Sequence, residues 1–399
     1  MIPNDSRDAL VLPGGGARGA YQVGVLKAIS DILPKHSSNP FPLISGTSAG
    51  AINSVVLASR ARFFASAVKE MEFVWRNFRS NQVFKSDSLT LSTNSIRWLL
   101  TFLSGGMGKN NPVSLLDNSP LRQLLIKQIN FSNIQEAINK GYLRGVSVTA
   151  AGYRSARSVS FYQGEADLKP WDKLRHKGKS KELNINHLMA SIAVPIVFPS
   201  IMLAGEYFGD GAMRQATPLS PAINLGANRI FVIGARNEKQ NTLLPNEEDP
   251  NYPSLGVIAG YMLDALFLDG LTSDLAHLIR INLLLENISG QHFDSNVNGP
   301  RRIETVVILP SEDIRDIAAR HVHELPKPVR FLLNGIGALN KDSMQLASYL
   351  LFESSFTSEL IDLGYSDAMS RKFDLESFFS GQPINTFGGI SGWSNFSEE

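Results

Sequence analysis

The residues best placed to do chemistry lie in Gly46-Thr47-Ser48-Ala49-Gly50, a G-x-S-x-G stretch between an expected strand and an expected helix. A serine on such a turn sits on strained backbone, and the two glycines let main chain pass closely on either side. The helix that follows aims its N-terminal amides at the hydroxyl, where they favour developing negative charge. The plain alternative is a glycine turn. A free hydroxyl is a poor nucleophile at neutral pH and needs a base. The downstream histidines His187, His277, His292, His321 and His323 fall in no recognisable turn, and each reads as a surface or capping residue. Asp210 is the better candidate, because glycines flank it in Gly205-Glu206-Tyr207-Phe208-Gly209-Asp210-Gly211-Ala212 and allow close approach at a strand end. An ordinary aspartate, with a pKa of about 4, is a weak base. Burial against Ser48 would raise that value; taken alone, Asp210-Gly211 reads equally as a hairpin turn.

A second glycine cluster, Gly14-Gly15-Gly16-Ala17-Arg18-Gly19, also lies between a strand and a helix. Its amides could form an anion nest or an oxyanion hole. Gly14, Gly16 and Gly19 satisfy G-x-G-x-x-G as well, but dinucleotide binding asks for an acidic residue at the end of the next strand. That strand ends in the Ser48 turn instead, and Asp31 falls within the intervening helix.

These motifs need elements to position them, and the pattern supplies them. The apolar run Ala9–Leu12, a helical spacing over Ala20–Leu33, the run Phe41–Ile44 and a helix from about Ala51 make a βαβα unit, hence a parallel sheet covered by helices. Further strands are predicted at Arg144–Ala151, Ser158–Tyr162, Tyr207–Gly209, Arg229–Ala235 and Thr305–Leu309. Helices are predicted near Ala61–Phe78, Ser119–Gln128, Ile185–Ser191, Pro218–Leu225 and Gly256–Leu285. A long irregular segment covers Ser80 to Pro120, and residues beyond Leu363 read as a poorly specified tail. A serine reached after a single βα unit arrives too early for the α/β-hydrolase order of Ser, Asp and His.

Composition narrows the chemistry. The chain has no cysteine, which excludes disulfides, thiolate metal sites and a cysteine nucleophile. With 38 basic and 37 acidic residues, bulk charge gives no support to nucleic-acid binding. Asp264 and Asp269 interrupt the most apolar long stretch, Leu255–Leu271, so no membrane-spanning helix is expected; the N-terminus lacks signal-peptide order. A soluble cytoplasmic protein is expected, unless another secretion route carries it out.

Together the motifs resemble the patatin-like phospholipase family. Gly14 to Gly19 matches its G-G-G-x-R-G, Gly46 to Gly50 its G-x-S-x-G, and Asp210-Gly211-Ala212 its D-G-G/A. Ala190-Ser191-Ile192-Ala193-Val194-Pro195-Ile196-Val197-Phe198-Pro199 matches a fourth block, A-S-x-A-x-P-x-x-F-P. The resemblance implies a three-layer α/β/α fold with a central, mainly parallel sheet, and a catalytic domain over 5–310 followed by a C-terminal helical extension and variable tail over 311–399. It implies a serine lipid acyl hydrolase of phospholipase A or lysophospholipase type, with Ser48 as nucleophile, Asp210 as base and an elbow shaped by Gly46 and Gly50. The oxyanion hole would come from Gly14, Gly15, Gly16 and Arg18, with no metal and no cofactor. Arg18 would otherwise order the glycine loop or meet a phosphate. The implied partner is a phospholipid or other acyl-ester lipid, met by transient membrane contact and not nucleic acid. An acyltransferase, a latent hydrolase awaiting an activating partner, and a homo-oligomer stay open. For the membrane contact, Ile96–Leu103 reads as an interfacial lid or as core, and the basic run Lys169–Lys181 as a head-group contact or a solvated loop.

Overall fold

Side chains alternate across a strand, so a strand whose successive residues are all buried must be covered on both faces. The computed structural model describes residues 7–85, 114–237, 252–267, 269–287, 301–339 and 344–382, and its first strand behaves in this way. In β1 (Asp8–Leu12), Leu10 and Leu12 enter one core cluster while Ala9 and Val11 enter a second on the opposite face. The first cluster is filled by α1 (Gly19–Ile32), α2 (Ala49–Ser59) and α3 (Phe64–Arg76). The second takes Leu271, Leu275 and Leu278 from the helix Asp269–Asn287, with Leu219 and Ala222. The result is three layers, helices on either side of a ten-stranded sheet.

The strands β2 (Leu43–Thr47), β3 (Gly145–Gly152), β9 (Arg229–Ile233) and β10 (Glu304–Ile308) join β1 in the parallel order β10-β9-β1-β2-β3. Beyond β3 the sheet turns mixed: β4 (Ser158–Gly164) is antiparallel to β3, β6 (His176–Ser180) is parallel to β4, and β5 (Trp171–Asp172) caps that edge. The basic run Lys169–Lys181 therefore belongs largely to this β5–β6 edge, where Lys177 pairs with Asp172 at 2.5 Å. A short hairpin of β7 (Ile201–Leu203) and β8 (Glu206–Asp210) completes the set.

One register decides where the site forms. Residues 145–149 of β3 pair with β2 in parallel, and residues 150–152 of the same strand pair antiparallel with residues 208–210 of β8. Two strands thus run head-on along one edge of β3. Their C-terminal ends meet, β2 ending at Thr47 and β8 at Asp210.

Several expectations shift. The strand expected at Phe41–Ile44 is β2, moved to Leu43–Thr47, because Ser45, Gly46 and Thr47 are laddered to β1 or β3. The helix after Ser48 starts at Ala49. Where one helix was expected over Gly256–Leu285, the chain forms α6 (Leu255–Phe267) and a second helix, Asp269–Asn287; α4 (Ser119–Gln128) and α5 (Ile185–Ser191) stand where predicted. By length and composition alone Leu255–Glu286 could cross a bilayer, but its acidic residues tie it to the fold. Asp274 accepts from Leu219 N at 2.8 Å, and Asp264 from Tyr349 Oη at 2.8 Å.

The reading of residues beyond Leu363 as a loose tail is corrected up to residue 382. After α7 (Met344–Leu350), α8 (Ser354–Ser370) crosses α1 so closely that a Cβ on Gly364 would lie 2.3 Å from Tyr21 O. Asp367 accepts from Tyr21 Oη at 2.9 Å, and Phe378 packs on Phe231 and Phe41. The small residues that made this stretch look unstructured are what permits the close helix crossing. The irregular stretch expected over Ser80–Pro120 lies mostly outside the described residues, as does Ile96–Leu103.

Candidate active site

The head-on meeting of β2 and β8 brings Ser48 and Asp210 together, both almost without exposed surface at 4% and 1%. Ser48 adopts φ 54° and ψ −127°, a conformation that costs on the order of 1–3 kcal/mol and survives only where its surroundings enforce it. Three contacts do so. Ser48 N donates to Ser191 Oγ at 2.9 Å, Ser191 Oγ donates to Thr149 O at 2.7 Å, and Asp210 N donates to Ala193 O at 2.8 Å. The segment from Ser191 to Ala193 thus braces both residues. Gly50 supplies the remaining condition: a Cβ there would lie 2.0 Å from Leu12 O, so only glycine lets the N-terminus of α2 reach the end of β1.

Asp210 Oδ1 accepts from Ala212 N at 3.0 Å, whereas Oδ2 is buried and finds no partner of regular hydrogen-bond geometry. Burial pushes its pKa up to about 7, against the opposing pull of the Ser48 side chain and the Ala212 N–H. Ser48 lies within reach of the carboxylate, yet no hydrogen bond of regular geometry joins them, as is common in sites without substrate. A buried oxygen without an aligned partner, next to a serine hydroxyl, is an acceptor ready for that proton.

Across the opening lies the glycine loop. Gly16 has φ +56°, and a Cβ on it would stand 2.4 Å from Tyr349 O, so the left-handed backbone and the close approach both require glycine. Gly16 and Ser48 line the same cavity. The donor set expected from the sequence loses one member: Arg18 N donates to Gly15 O at 3.1 Å within the turn, leaving Gly14, Gly15 and Gly16 as the candidate donors. The Arg18 side chain is fully buried, with Nε and Nη2 donating to Ser348 Oγ at 2.9 and 2.7 Å, Nη1 3.5 Å from Asp264 Oδ1, and its plane 4.2 Å from the Tyr349 ring centroid. It clamps α6 and α7 onto the glycine loop and is not open to a phosphate.

The histidines stand apart. No described histidine lines the Ser48 cavity. Nδ1 of His187 accepts from Asn184 N at 3.1 Å as part of a helix cap, and burial lowers its pKa to about 4. His321 pairs with Glu359 and Glu324 at the surface, and His292 lies outside the described residues.

The cavity itself is apolar and open at its mouth, with about 100 Å³ of space for water-sized spheres. It starts at Ser48 and follows one face of α2, where Ser48, Ile52, Val56 and Arg60 recur every fourth residue, with Trp75 of α3 and Leu125 of α4 on its flanks. Sequence reasoning missed the roles of Ser191, Ser348, Tyr349 and Asp264. Ser191 lay in a stretch recognised only by resemblance, and the other three sit far along the chain with no local pattern to mark them.

A family model described as patatin-like phospholipase matches residues 10–223, just over half of the 399-residue chain. Among solved structures, VipD from Legionella pneumophila aligns at 12% identity over 86% of this chain and 66% of its own, with a TM-score of 0.29. This chain thus spans just under two thirds of VipD. The type III effector protein ExoU aligns at 13% identity over 100% of this chain and 85% of its own, with a TM-score of 0.27. No curated protein matches the chain by sequence.

Proposed function

The chain belongs to the patatin-like phospholipase family, and from that premise we propose that it is a lipid acyl hydrolase working through Ser48 and Asp210. One observation carries the proposal: a strained, buried serine stands beside a buried carboxylate oxygen without an aligned partner, at the head of an apolar cavity. Ser48 Oγ attacks the ester carbonyl carbon while Asp210 Oδ2 takes its proton. The carbonyl oxygen becomes an oxyanion facing the amides of Gly14, Gly15 and Gly16, each such donor being worth roughly 10²–10³ in rate. Collapse expels the alcohol, which takes the proton from Asp210, and leaves an acyl group on Ser48. Water then attacks the acyl-enzyme, Asp210 accepts its proton, and Ser48 regains it as the fatty acid departs.

The test is labelling by a fluorophosphonate, which reacts with activated serines, read by intact mass. One adduct on the wild type and none on Ser48→Ala is the expected result. An unlabelled, folded wild type, or an adduct that persists in Ser48→Ala, removes Ser48 from the role.

The lipid must be met at an interface, and α6 presents one. Leu255, Ile258, Tyr261 and Met262 are exposed on its outer side, while Leu263 of the same helix lines the cavity. Leu255→Asp with Tyr261→Asp is expected to weaken co-sedimentation with phosphatidylcholine vesicles. Unchanged sedimentation would clear this face of the role.

A further inference from the structure

The far end of the cavity differs from the rest of it. From Ser48 onward the walls are apolar, apart from Asn53, whose side chain is taken up by Gly19, Gln22 and Trp75, until Arg60, Glu70 and Gln128, and these three also border polar surface pockets on the other side. Arg60 borders both of those pockets as well as the Ser48 cavity, so it stands in the partition between them. Arg60 Nη2 lies 2.7 Å from Glu70 Oε2, and the two side chains are 26% and 51% exposed. The partition is therefore an ion pair with water behind it and an apolar channel in front.

We infer that the Arg60–Glu70 pair closes the acyl channel and sets the longest straight chain that Ser48 accepts. This rests on the reading of Ser48 as the acylated residue. Ser48 and Arg60 are twelve residues apart on one helix, about 18 Å at 1.5 Å per residue. An extended chain advances about 3.8 Å for every three bonds, so 18 Å takes about 14 carbons, and the limit falls near 12 once the Arg60 side chain, leaning back toward the helix N-terminus, takes its share. Beyond that length the chain end must part the ion pair or enter the polar pocket behind it. Either way the added methylenes gain no apolar burial. The substrate class is thus a straight acyl chain of intermediate length, selected at a point remote from the reacting atoms.

The experiment uses straight-chain alkyl fluorophosphonates spanning both sides of this limit, with the labelling rate of the full chain read by intact mass. Below the limit each added methylene should raise the rate by up to about fourfold, in line with the burial of a methylene group. Above it the rate should fall by about tenfold or more, as when a closed pocket meets a chain too long for it. Arg60→Ala and Glu70→Ala should move the fall to longer chains, measured as the long-to-short ratio within each variant. Arg62→Ala, which removes a neighbouring cation outside the channel, should keep the wild-type limit. Val56→Trp should shorten it. A wild-type profile without a fall, or a fall that Arg60→Ala leaves in place, overturns the proposal. If no length labels the wild type, the reading of Ser48 fails instead. The limit is then sought in thermal shifts of Ser48→Ala with straight-chain fatty acids, where the same dependence on Arg60 is required.

Discussion

Arg60 lines the far end of the cavity, Arg18 lies buried behind the glycine loop at the near end, and the two are held in different ways. Arg18 has no exposed surface and meets Ser348, Asp264 and the Tyr349 ring, residues from two helices far along the chain. Arg60 is a quarter exposed and meets Glu70 of the neighbouring helix. On the proposed function, the difference follows from what each end would have to do. Amides facing an oxyanion act only if fixed within a fraction of an ångström, and the glycine loop is held by a buried cation whose partners leave it one position. The far end would need only to exclude volume, for which a solvated ion pair suffices. On that proposal, precision is concentrated where charge would develop and relaxed where length would be measured.

The sharpest way to break this contrast is Arg18→Met. It removes the buried cation and leaves the Asp264 carboxylate, 4% exposed, with the Tyr349 hydroxyl and the charge of Arg315. Breaking a buried pair in this way costs about 3–5 kcal/mol. Urea denaturation should show a loss of that size, with α6 and α7 loosened ahead of the sheet in hydrogen exchange. A loss under about 1 kcal/mol would mean that the clamp is no more important than the surface pair at the other end.

Asp210 is next in size, and it runs in the opposite direction. Its folded pKa of about 7 lies above the ordinary 3.8, so the folded state holds a proton that the unfolded chain has given up between those values. Stability from this group is full below pH 4 and is lost as pH rises to 7. Three pKa units correspond to about 4 kcal/mol. Asp210→Asn should therefore abolish labelling yet stabilise the protein by about 2–4 kcal/mol at pH 8, the gain fading toward pH 4. For the wild type, the labelling rate should rise with pH through about 7 as the carboxylate forms. A rate flat from pH 5 to 9 would mean that Asp210 is not the base.

Ser191→Ala tests the brace. It takes away the acceptor for Ser48 N and the donor to Thr149 O without touching substrate. A buried amide left unsatisfied costs about 1–3 kcal/mol, and the elbow is expected to relax, so kcat should fall about 10- to 100-fold with KM little changed. Ser191→Thr, which keeps the hydroxyl, should restore part of the loss. Equal behaviour of the two variants would make Ser191 a packing residue only.

What was legible in the sequence follows the same division. Ser48, Gly50 and the glycine loop were readable because their requirements are local: a turn that only glycine allows, and a helix start beside it. The parallel strands were readable as unbroken apolar runs. Asp210 was readable only as a candidate, since its role depends on β8 meeting β2 along β3, and a register between distant strands leaves no trace in either one. Arg18 could be seen to matter, but Ser348 and Asp264 lie 330 and 246 positions away and carry no pattern of their own. The channel is a different kind of omission. Ser48, Ile52, Val56 and Arg60 share a helix face in the sequence, yet an apolar stripe that lines a cavity looks the same as one that fills a core.

Arg60→Ala gives the smallest stability effect and completes the contrast. An ion pair with this exposure contributes about 0–1 kcal/mol, because water competes for both partners and the long side chains lose freedom in pairing. The variant should unfold within about 1 kcal/mol of the wild type, and the difference should vanish in high salt, where exposed pairs are screened. Arg18→Met should keep its deficit at the same salt concentration, since no solvent reaches that site. A salt-insensitive loss in Arg60→Ala as large as that of Arg18→Met would show the far end to be built as rigidly as the catalytic end. The division of labour along the cavity would then have to be abandoned.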